Sequence, residues 1–234
     1  MSTVLLLHGF PQTSHAWREV VGPLRAAGHE VLAPDLFGGD LVEHALDLLG
    51  DEPAHVVGHD IGAQAAWRLA ATHPARVRTL TAVAAPHPVA FRRALAGEDG
   101  SDQAQRSFYL DHFKAPAALD LFLAEEGAGL RRLFAASNHT GDVDAHVRSM
   151  CVPGVLDRAL GWYRADHPTE VDDIDVPTLY VWGTEDTVIG PHAAAFTADH
   201  VHGPYRFASL EGAGHWIPEL DADRLVPLLL EHLA

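Results

Sequence analysis

The sequence predicts an α/β protein whose mostly parallel sheet is covered by helices on both faces. Short apolar runs alternate with segments of helical spacing up to residue 86 and again from residue 177. Such runs, bounded by Gly and Pro, are typical of parallel strands that are buried on both faces. Because consecutive parallel strands need crossover connections, the intervening helices are expected to cover both faces of one sheet.

The first part of the chain predicts four strands and three helices. Residues 3–7 are continuously apolar and stop before Gly9, which predicts the first strand. Apolar residues at helical spacing predict a helix over 14–27, which Pro23 bends. The remaining elements are strands over 29–34, 55–60 and 77–86, a short amphipathic helix over 40–49, and an Ala-rich helix that follows Asp60 and stops at Pro74.

The alternation is interrupted between Pro86 and Val176. A segment of this length between two strands of one sheet must be more than a loop. It is rich in Ala, Leu, Phe and Arg and has helical periodicity, so we predict a helical lid over 87–176. The lid is inserted into a core of residues 1–86 and 177–234. The core resumes with strands over 177–183 and 205–210, a helix near 190–199 and a C-terminal helix over 217–233.

Composition and charge argue against several classes of partner. Acidic residues outnumber basic residues 32 to 16, and the resulting formal net charge of −16 opposes binding to nucleic acid or to anionic membrane surfaces. No window approaches the roughly 18 apolar residues of a membrane span. The apolar N-terminus lacks the basic region of a secretion signal. We therefore expect a cytoplasmic protein that binds neither membranes nor nucleic acid.

The cysteine and histidine content does not predict a metal or disulfide framework. The single cysteine, Cys151, excludes an intramolecular disulfide. The 17 histidines are scattered along the chain. The one tight pair, His200 and His202, has no third ligand at the spacing of a zinc site. We therefore predict no metal.

Residues 58–62, Gly-His-Asp-Ile-Gly, stand where a buried strand turns directly into a helix. Small residues around one reactive residue at such a turn form a nucleophile elbow, which projects the central side chain above the edge of the sheet. The central residue here is Asp60 rather than a serine. The structural alternative is that Asp60 only caps the helix that follows.

Two further signals follow the elbow in the chain. His215 lies on a Gly-rich loop between the last strand and the final helix, from which it can reach the elbow and activate water as a base. Asp186 follows the strand over 177–183, where an acid can accept the other N–H of the histidine and stabilise the imidazolium. Glu185 competes for this role, and we favour Asp186.

The order of elbow, acid and histidine is that of the α/β-hydrolase fold. With its aspartate elbow, the chain resembles the branch of epoxide hydrolases and haloalkane dehalogenases. Residues 8–11, His-Gly-Phe-Pro, resemble the HGxP motif of this branch. The resemblance implies an oxyanion hole formed by the backbone N–H groups of Phe10 and Ile61.

Two lid segments resemble those that carry the catalytic tyrosines of epoxide hydrolases. Tyr109 precedes Phe113 by four residues and Pro116 by seven, as in the motif of the first tyrosine. Residues 161–164, Gly-Trp-Tyr-Arg, resemble the NWYR motif of the second, with Gly161 in place of asparagine. The resemblance implies that Tyr109 and Tyr163 donate protons to the leaving group. Both could instead be packing residues of amphipathic helices.

The chemistry of a carboxylate narrows the reaction. Attack on a carbonyl carbon would give an anhydride, whereas attack on an sp³ carbon that bears a leaving group gives an ester. This leaves epoxides, alkyl halides and α-halo acids as substrates. A halide needs N–H donors, which the side chains of Ile61 and Phe10 lack. Fluoroacetate dehalogenases resemble the stretch over 8–17 but carry arginines after the elbow, where this chain has Ile61 and Gln64.

We therefore predict an epoxide hydrolase that uses water and an apolar epoxide and requires no cofactor. The residues expected to bind the substrate are apolar or aromatic: Phe10, Phe108, Phe113, Trp162 and Trp216. Two alternatives remain open. One is a haloalkane or haloacid dehalogenase with the same Asp-His-Asp triad, and the other is a homologue that binds a ligand without turnover.

The chain departs from this branch at its N-terminal side. The usual pair of antiparallel strands ahead of the first strand is lacking, and the loop before the helix over 40–49 is shorter than in relatives. An unpaired sheet edge tends to be covered in native proteins. Our hypothesis is that a second subunit covers this edge in a homodimer, which a monomeric mass in light scattering would rule out.

Overall fold

The computed structural model describes residues 2–165 and 171–234, and these contain a six-stranded sheet of order β2-β1-β3-β4-β5-β6. All five neighbouring pairs are parallel. The predicted fold class is confirmed. The strands are β1 (Thr3–Leu7), β2 (Glu30–Leu32), β3 (Ala54–His59), β4 (Val77–Val83), β5 (Thr178–Gly183) and β6 (Tyr205–Leu210).

Twelve α-helices are present in the described part of the chain. Those of the core are α1 (Arg18–Ala26), α2 (Leu41–Leu49), α3 (Ile61–Thr72), α10 (Pro191–Phe196), α11 (Ile217–Leu220) and α12 (Ala222–His232). Those between β4 and β5 are α4 (Pro88–Leu95), α5 (Gln103–Arg106), α6 (Tyr109–Lys114), α7 (Ala118–Ala136), α8 (Val143–Met150) and α9 (Val155–Arg164). Within residues 2–165 and 171–234, none of these helices has the length and apolar character needed to cross a membrane.

The strands are buried on both faces because successive side chains enter two different cores. Leu5 and Leu7 of β1 pack with the cluster that includes α2, α3 and α4, whereas Val4 and Leu6 pack with α1 and α12. All four side chains are fully buried, and each such side chain contributes about 1.5–3 kcal/mol to folding. This two-sided burial explains why β1 is an apolar run without alternation.

Several predicted elements are shorter than the sequence indicated. The fourth strand ends at Val83, because Ala84 has a positive φ of 53° and turns the chain out of the sheet. The single C-terminal helix predicted over 217–233 is wrong. Asp221 has non-helical φ and ψ angles of −127° and 32°, which separate α11 from α12. The break allows Glu219 to be buried beside the lid while Leu225 and Leu229 of α12 pack on the sheet.

The described residues of the lid are mainly helical, as the periodicity indicated. The longest helix, α7, is interrupted at residues 124–127, whose φ and ψ angles are not helical. Helix α4 of the lid contacts the core through Arg93. Its guanidinium lies 4.4 Å from the ring centre of Phe196 and forms an ion pair with Asp199. The fold therefore presents the lid above the carboxyl ends of β3, β4 and β5.

The three-residue strand β2 lies at one edge of the sheet, next to β1. Helix α2 follows soon after it and begins at Leu41, where the Asp40 carboxylate accepts hydrogen bonds from the N–H groups of Val42 and Glu43. The homodimer across this edge stays a prediction.

Candidate active site

Asp60 lies at the corner between β3 and α3, with φ and ψ angles of 52° and −121°. A non-glycine residue in this region stores about 1–3 kcal/mol of strain, which is typical of functional positions. Asp60 occupies the N-cap position of α3, but its side chain makes no capping hydrogen bond. Its Oδ1 instead accepts a hydrogen bond of 3.0 Å from the backbone N–H of Phe10.

The glycines on each side of Asp60 allow the corner to be this tight. A Cβ atom at Gly62 would lie 2.3 Å from the carbonyl oxygen of Leu7, and one at Gly58 would lie 2.4 Å from the carbonyl oxygen of Gly62. Real side chains do not tolerate such contacts with backbone atoms. The Gly-x-Asp-x-Gly spacing is thus a steric requirement of the turn that raises Asp60 above the sheet.

His215 lies between the two predicted acids. Its Nε2 is 3.5 Å from Oδ2 of Asp60, and its Nδ1 is 2.9 Å from Oδ2 of Asp186. The other oxygen of Asp186 accepts hydrogen bonds from the N–H groups of Val188 and Ile189, at 2.7 and 2.9 Å. Glu185, the competing acid, is exposed. The three residues that the sequence singled out therefore form one connected set.

The charges of this set stabilise one another. Burial lowers the pKa of His215, but the Asp186 carboxylate and then Asp60 outweigh burial and raise it to about 10. Burial raises the pKa of Asp60, but the hydrogen bond and the charge of His215 outweigh it and hold that pKa below its usual value. Near neutral pH the resting site is therefore an ionised Asp60 beside a protonated His215.

Two buried neutral histidines fix the loops around this set. His59 donates a hydrogen bond of 2.9 Å from Nε2 to the carbonyl oxygen of His215. His8 donates from Nδ1 to the carbonyl oxygen of Gly9, and its Nε2 accepts from the N–H of Leu36. Burial lowers the pKa of both to about 4, so neither adds a positive charge to the site.

A cavity of about 300 Å³ opens above Asp60, a size that suits a small organic molecule. Its mouth lies near Phe108, which is 67% exposed. The remaining lining residues that the sequence predicted are Phe10, Tyr109, Phe113, Tyr163, His215 and Trp216. The indole N–H of Trp216 does not face this space freely, because it donates to the carbonyl oxygen of Ser137 at 2.9 Å.

Tyr109 and Tyr163 line this cavity together with Asp60, and the same three residues line a second cavity of about 410 Å³. Trp162 borders the second cavity. The ring of Phe113 packs against both tyrosine rings, with centres 5.0 and 4.9 Å away. Burial and then the Asp60 carboxylate raise the pKa of both phenols well above the ordinary value. The phenols therefore keep their protons and can act as donors.

Residues 39–222 match the family model described as the alpha/beta hydrolase fold. The chain belongs to this family. Epoxide hydrolase A of Mycobacterium tuberculosis is 30% identical over 295 residues, which cover 98% of this chain and 89% of that protein. The family match and this likeness identify the protein as a hydrolase enzyme.

Solved structures of the family agree with the architecture of this hydrolase. The crystal structure of the Bacillus megaterium epoxide hydrolase superposes with a TM-score of 0.88 at 24% identity, covering 100% of this chain and 93% of the other. Epoxide hydrolase A of Mycobacterium thermoresistibile superposes with a TM-score of 0.78 at 26% identity, covering 99% and 91%.

A second buried cluster lies beside the candidate active site, and no sequence pattern predicted it. The Glu219 carboxylate accepts hydrogen bonds from the side chains of Gln12, Arg18, His139 and His146 and from the backbone N–H of Asp142. Burial raises the pKa of Glu219, but the hydrogen bonds outweigh burial and hold it well below the usual range. The cluster joins the loop after Phe10, the helix after His215 and two lid segments.

His139, His146 and Glu219 also have the composition of a metal site, since their ligand atoms lie within 4.8 Å of one another. Their hydrogen bonds argue against that role. The Nδ1 atoms of His139 and His146 accept from the N–H groups of Gly141 and Thr13, so the protons are on Nε2. Both Nε2–H groups then donate to Glu219, and no nitrogen lone pair faces the centre of the cluster.

Proposed function

We propose that this hydrolase opens an apolar epoxide to a vicinal diol through a covalent ester on Asp60. The observation that carries the proposal is a carboxylate at the elbow that shares its cavity with two partly buried, protonated phenols. The likeness to epoxide hydrolase A of Mycobacterium tuberculosis supports the same reaction. The aromatic and aliphatic residues of the lining support an apolar substrate.

In the first step, an oxygen of the ionised Asp60 attacks an sp³ carbon of the epoxide. The new C–O ester bond forms as the ring C–O bond breaks, and the electron pair of that bond goes to the ring oxygen. An alkoxide is a poor leaving group in an apolar cavity, so the reaction needs an acid at that oxygen. Tyr109 and Tyr163 supply two O–H donors, one of which transfers its proton.

In the second step, His215 first gives its resting proton to the tyrosinate, which restores the phenol. The neutral imidazole then takes a proton from water, and the resulting hydroxide attacks the carboxyl carbon of Asp60. The negative charge that develops on the carbonyl oxygen is stabilised by backbone N–H groups. The N–H of Phe10 already donates a hydrogen bond to Oδ1 of Asp60. The second N–H group proposed for this role is that of Ile61, the first residue of α3. The ester bond then breaks, the diol takes its proton from His215, and His215 recovers a proton from the restored carboxyl group, which returns the site to its resting state.

Ester formation also makes His215 a usable base. The pKa of His215 is raised by Asp186 and by Asp60. Once Asp60 is esterified, its negative charge is gone and its part of this stabilisation disappears. The pKa of His215 therefore falls when the reaction reaches the step in which a neutral imidazole is needed.

The geometry disfavours the dehalogenase alternative. A departing halide needs N–H donors in the cavity, and the indole N–H of Trp216 is already bonded to Ser137. The direct test is an assay of the purified protein with styrene oxide, a chloroalkane and fluoroacetate. We expect the diol from styrene oxide and no halide release. Halide release without diol would favour a dehalogenase, and epoxide binding without turnover would favour a non-catalytic homologue.

Replacing either phenol tests the proton donors. We expect Tyr163→Phe and Tyr109→Phe each to lower the rate constant of ester formation by about 10²-fold, the usual effect of losing one donor to a developing oxyanion. Phenylalanine keeps the ring contacts with Phe113, so only the hydroxyl is lost. The measurement is single-turnover kinetics, with Tyr205→Phe, outside both cavities, as the matched control. Ester formation at the wild-type rate in both variants would contradict the assignment.

A further inference from the structure

Hydrogen bonds from the lid hold residues 188–190, in the loop that follows the catalytic acid Asp186. Gln103 lies in the short lid helix α5, and its side chain is fully buried against residues 188–190. Its Oε1 accepts a hydrogen bond of 2.8 Å from the N–H of Gly190, and its Nε2 donates one of 2.8 Å to the carbonyl oxygen of Val188. Because one partner is a donor and the other an acceptor, the orientation of this amide is fixed.

The same loop provides the hydrogen bonds that orient Asp186. The N–H groups of Val188 and Ile189 donate to Oδ1 of Asp186, and the opposite oxygen of Asp186 contacts His215. A second contact from α5 acts directly on the acid, since Arg106 donates to the carbonyl oxygen of Asp186 at 2.9 Å. Some backbone groups of residues 186–190 are thus hydrogen-bonded to the side chain of Asp186, and the others are hydrogen-bonded to the lid residues Gln103 and Arg106.

We infer that Gln103 is a positioning residue for the catalytic acid, holding residues 188–190 so that their N–H groups stay on Asp186 and Asp186 stays on His215. The inference rests on the proposed function, because it assigns Gln103 to one step of that reaction. Ester formation uses Asp60 and the two phenols, whereas ester hydrolysis uses His215 and Asp186. Loss of the Gln103 contacts should therefore slow hydrolysis of the ester more than its formation.

The test separates the two steps by rapid quench and intact-mass measurement of single turnovers. Gln103→Leu removes both bonds to the acid loop at similar side-chain size. We expect ester hydrolysis to slow by about 10- to 100-fold, the size of effect caused by displacing a catalytic group by about 1 Å. The rate constant of ester formation should change by less than about threefold, because this step does not use Asp186. Equal slowing of both steps would overturn the inference.

Ser107→Ala is the matched control. The amide of Gln103 also donates to Oγ of Ser107 at 2.9 Å, a bond that lies within the lid and does not reach the acid loop. This variant should hydrolyse the ester at the wild-type rate. If it slows hydrolysis as much as Gln103→Leu, the lid packing and not the acid loop is responsible. Gln103→Glu, which keeps an acceptor for Gly190 but loses the donor to Val188, provides a second variant of unchanged size.

A double-variant cycle and a pH profile distinguish positioning from general destabilisation. If Gln103 acts through Asp186, adding Gln103→Leu to Asp186→Asn should slow hydrolysis no further, whereas independent effects would multiply. Hydrolysis requires neutral His215, whose pKa is raised by Asp186. Gln103→Leu should therefore lower the plateau rate and move the rising limb toward lower pH. An unshifted limb would contradict the inference.

The outcome for Gln103 remains separable from that for the proposed function. If the wild-type protein forms no ester from any epoxide, the proposed function fails. If the wild-type protein forms and hydrolyses the ester and Gln103→Leu hydrolyses it equally fast, only the positioning role fails.

Discussion

Replacing Asp60 with alanine is expected to abolish epoxide turnover, lowering kcat by about 10⁴-fold or more, the scale seen when a covalent nucleophile is removed. The alanine has no oxygen with which to form the ester, and water attacking the epoxide directly would lack an oriented base. The measurement is diol formation at saturating epoxide, together with intact mass to confirm that no adduct forms. Undiminished ring opening would remove the carboxylate from the mechanism.

The control for this variant must account for backbone strain. Asp60 has a φ of 52°, a conformation that alanine adopts less readily than aspartate, so part of any loss could come from folding. Asp99 also has a φ of 52° but is exposed and outside both cavities. Asp99→Ala, at a residue whose ψ of 26° differs from the −121° of Asp60, should keep full activity, and thermal unfolding of Asp60→Ala itself measures any loss of folding.

The second large effect is expected from His215→Gln, which should stall the enzyme at the ester. Ester formation continues because it needs only the ionised Asp60 and the phenols. Hydrolysis should slow by about 10²- to 10⁴-fold, the usual contribution of a general base. The ester should then accumulate, and the intact mass should rise by the full mass of the epoxide because addition to the ring expels no atom.

The mass of this adduct also distinguishes an epoxide substrate from a haloalkane substrate. A haloalkane would add its own mass less that of HX, since the halide departs when the ester forms. His44→Gln, on the exposed face of α2, is the matched control and should show no adduct at steady state. Full turnover by His215→Gln would remove the assignment of the base.

The elbow at Asp60 and the proximity of Asp60, Asp186 and His215 could be predicted because their signals are local. The glycines at 58 and 62 are required by contacts within the turn and with β1, so the spacing itself specifies the geometry. His215 and Asp186 each follow a strand of a parallel sheet. The carboxyl ends of such strands lie on one side of the sheet, so residues distant in sequence converge there.

The cluster around Glu219 and the contacts of Gln103 could not be predicted. Glu219 bonds to Gln12 across 207 residues and to His139 across 80, and Gln103 bonds to Gly190 across 87. Each is a polar residue in a four-residue helix, α11 or α5, and a sequence pattern does not distinguish it from a solvated surface residue. Only the folded lid brings these side chains against the catalytic loops.

The orientation of the lid residues could not be predicted from the sequence either. Trp162 and Tyr163 are neighbours in α9, yet Tyr163 lines both cavities and Trp162 only the second. Helical periodicity gives relative directions around one helix but not the rotation of that helix against the core. The same applies to Phe108, which lines the first cavity but has a largely exposed side chain.

The central claim is that the carboxylate of Asp60 becomes esterified, and isotopic labelling tests it most directly. With enzyme in excess over epoxide in ¹⁸O-water, the oxygen added to the first diol should come from Asp60 and carry no label. The peptide containing Asp60 should gain one ¹⁸O atom. Label in the first diol, with none in that peptide, would mean that water attacks the epoxide directly and would contradict the account.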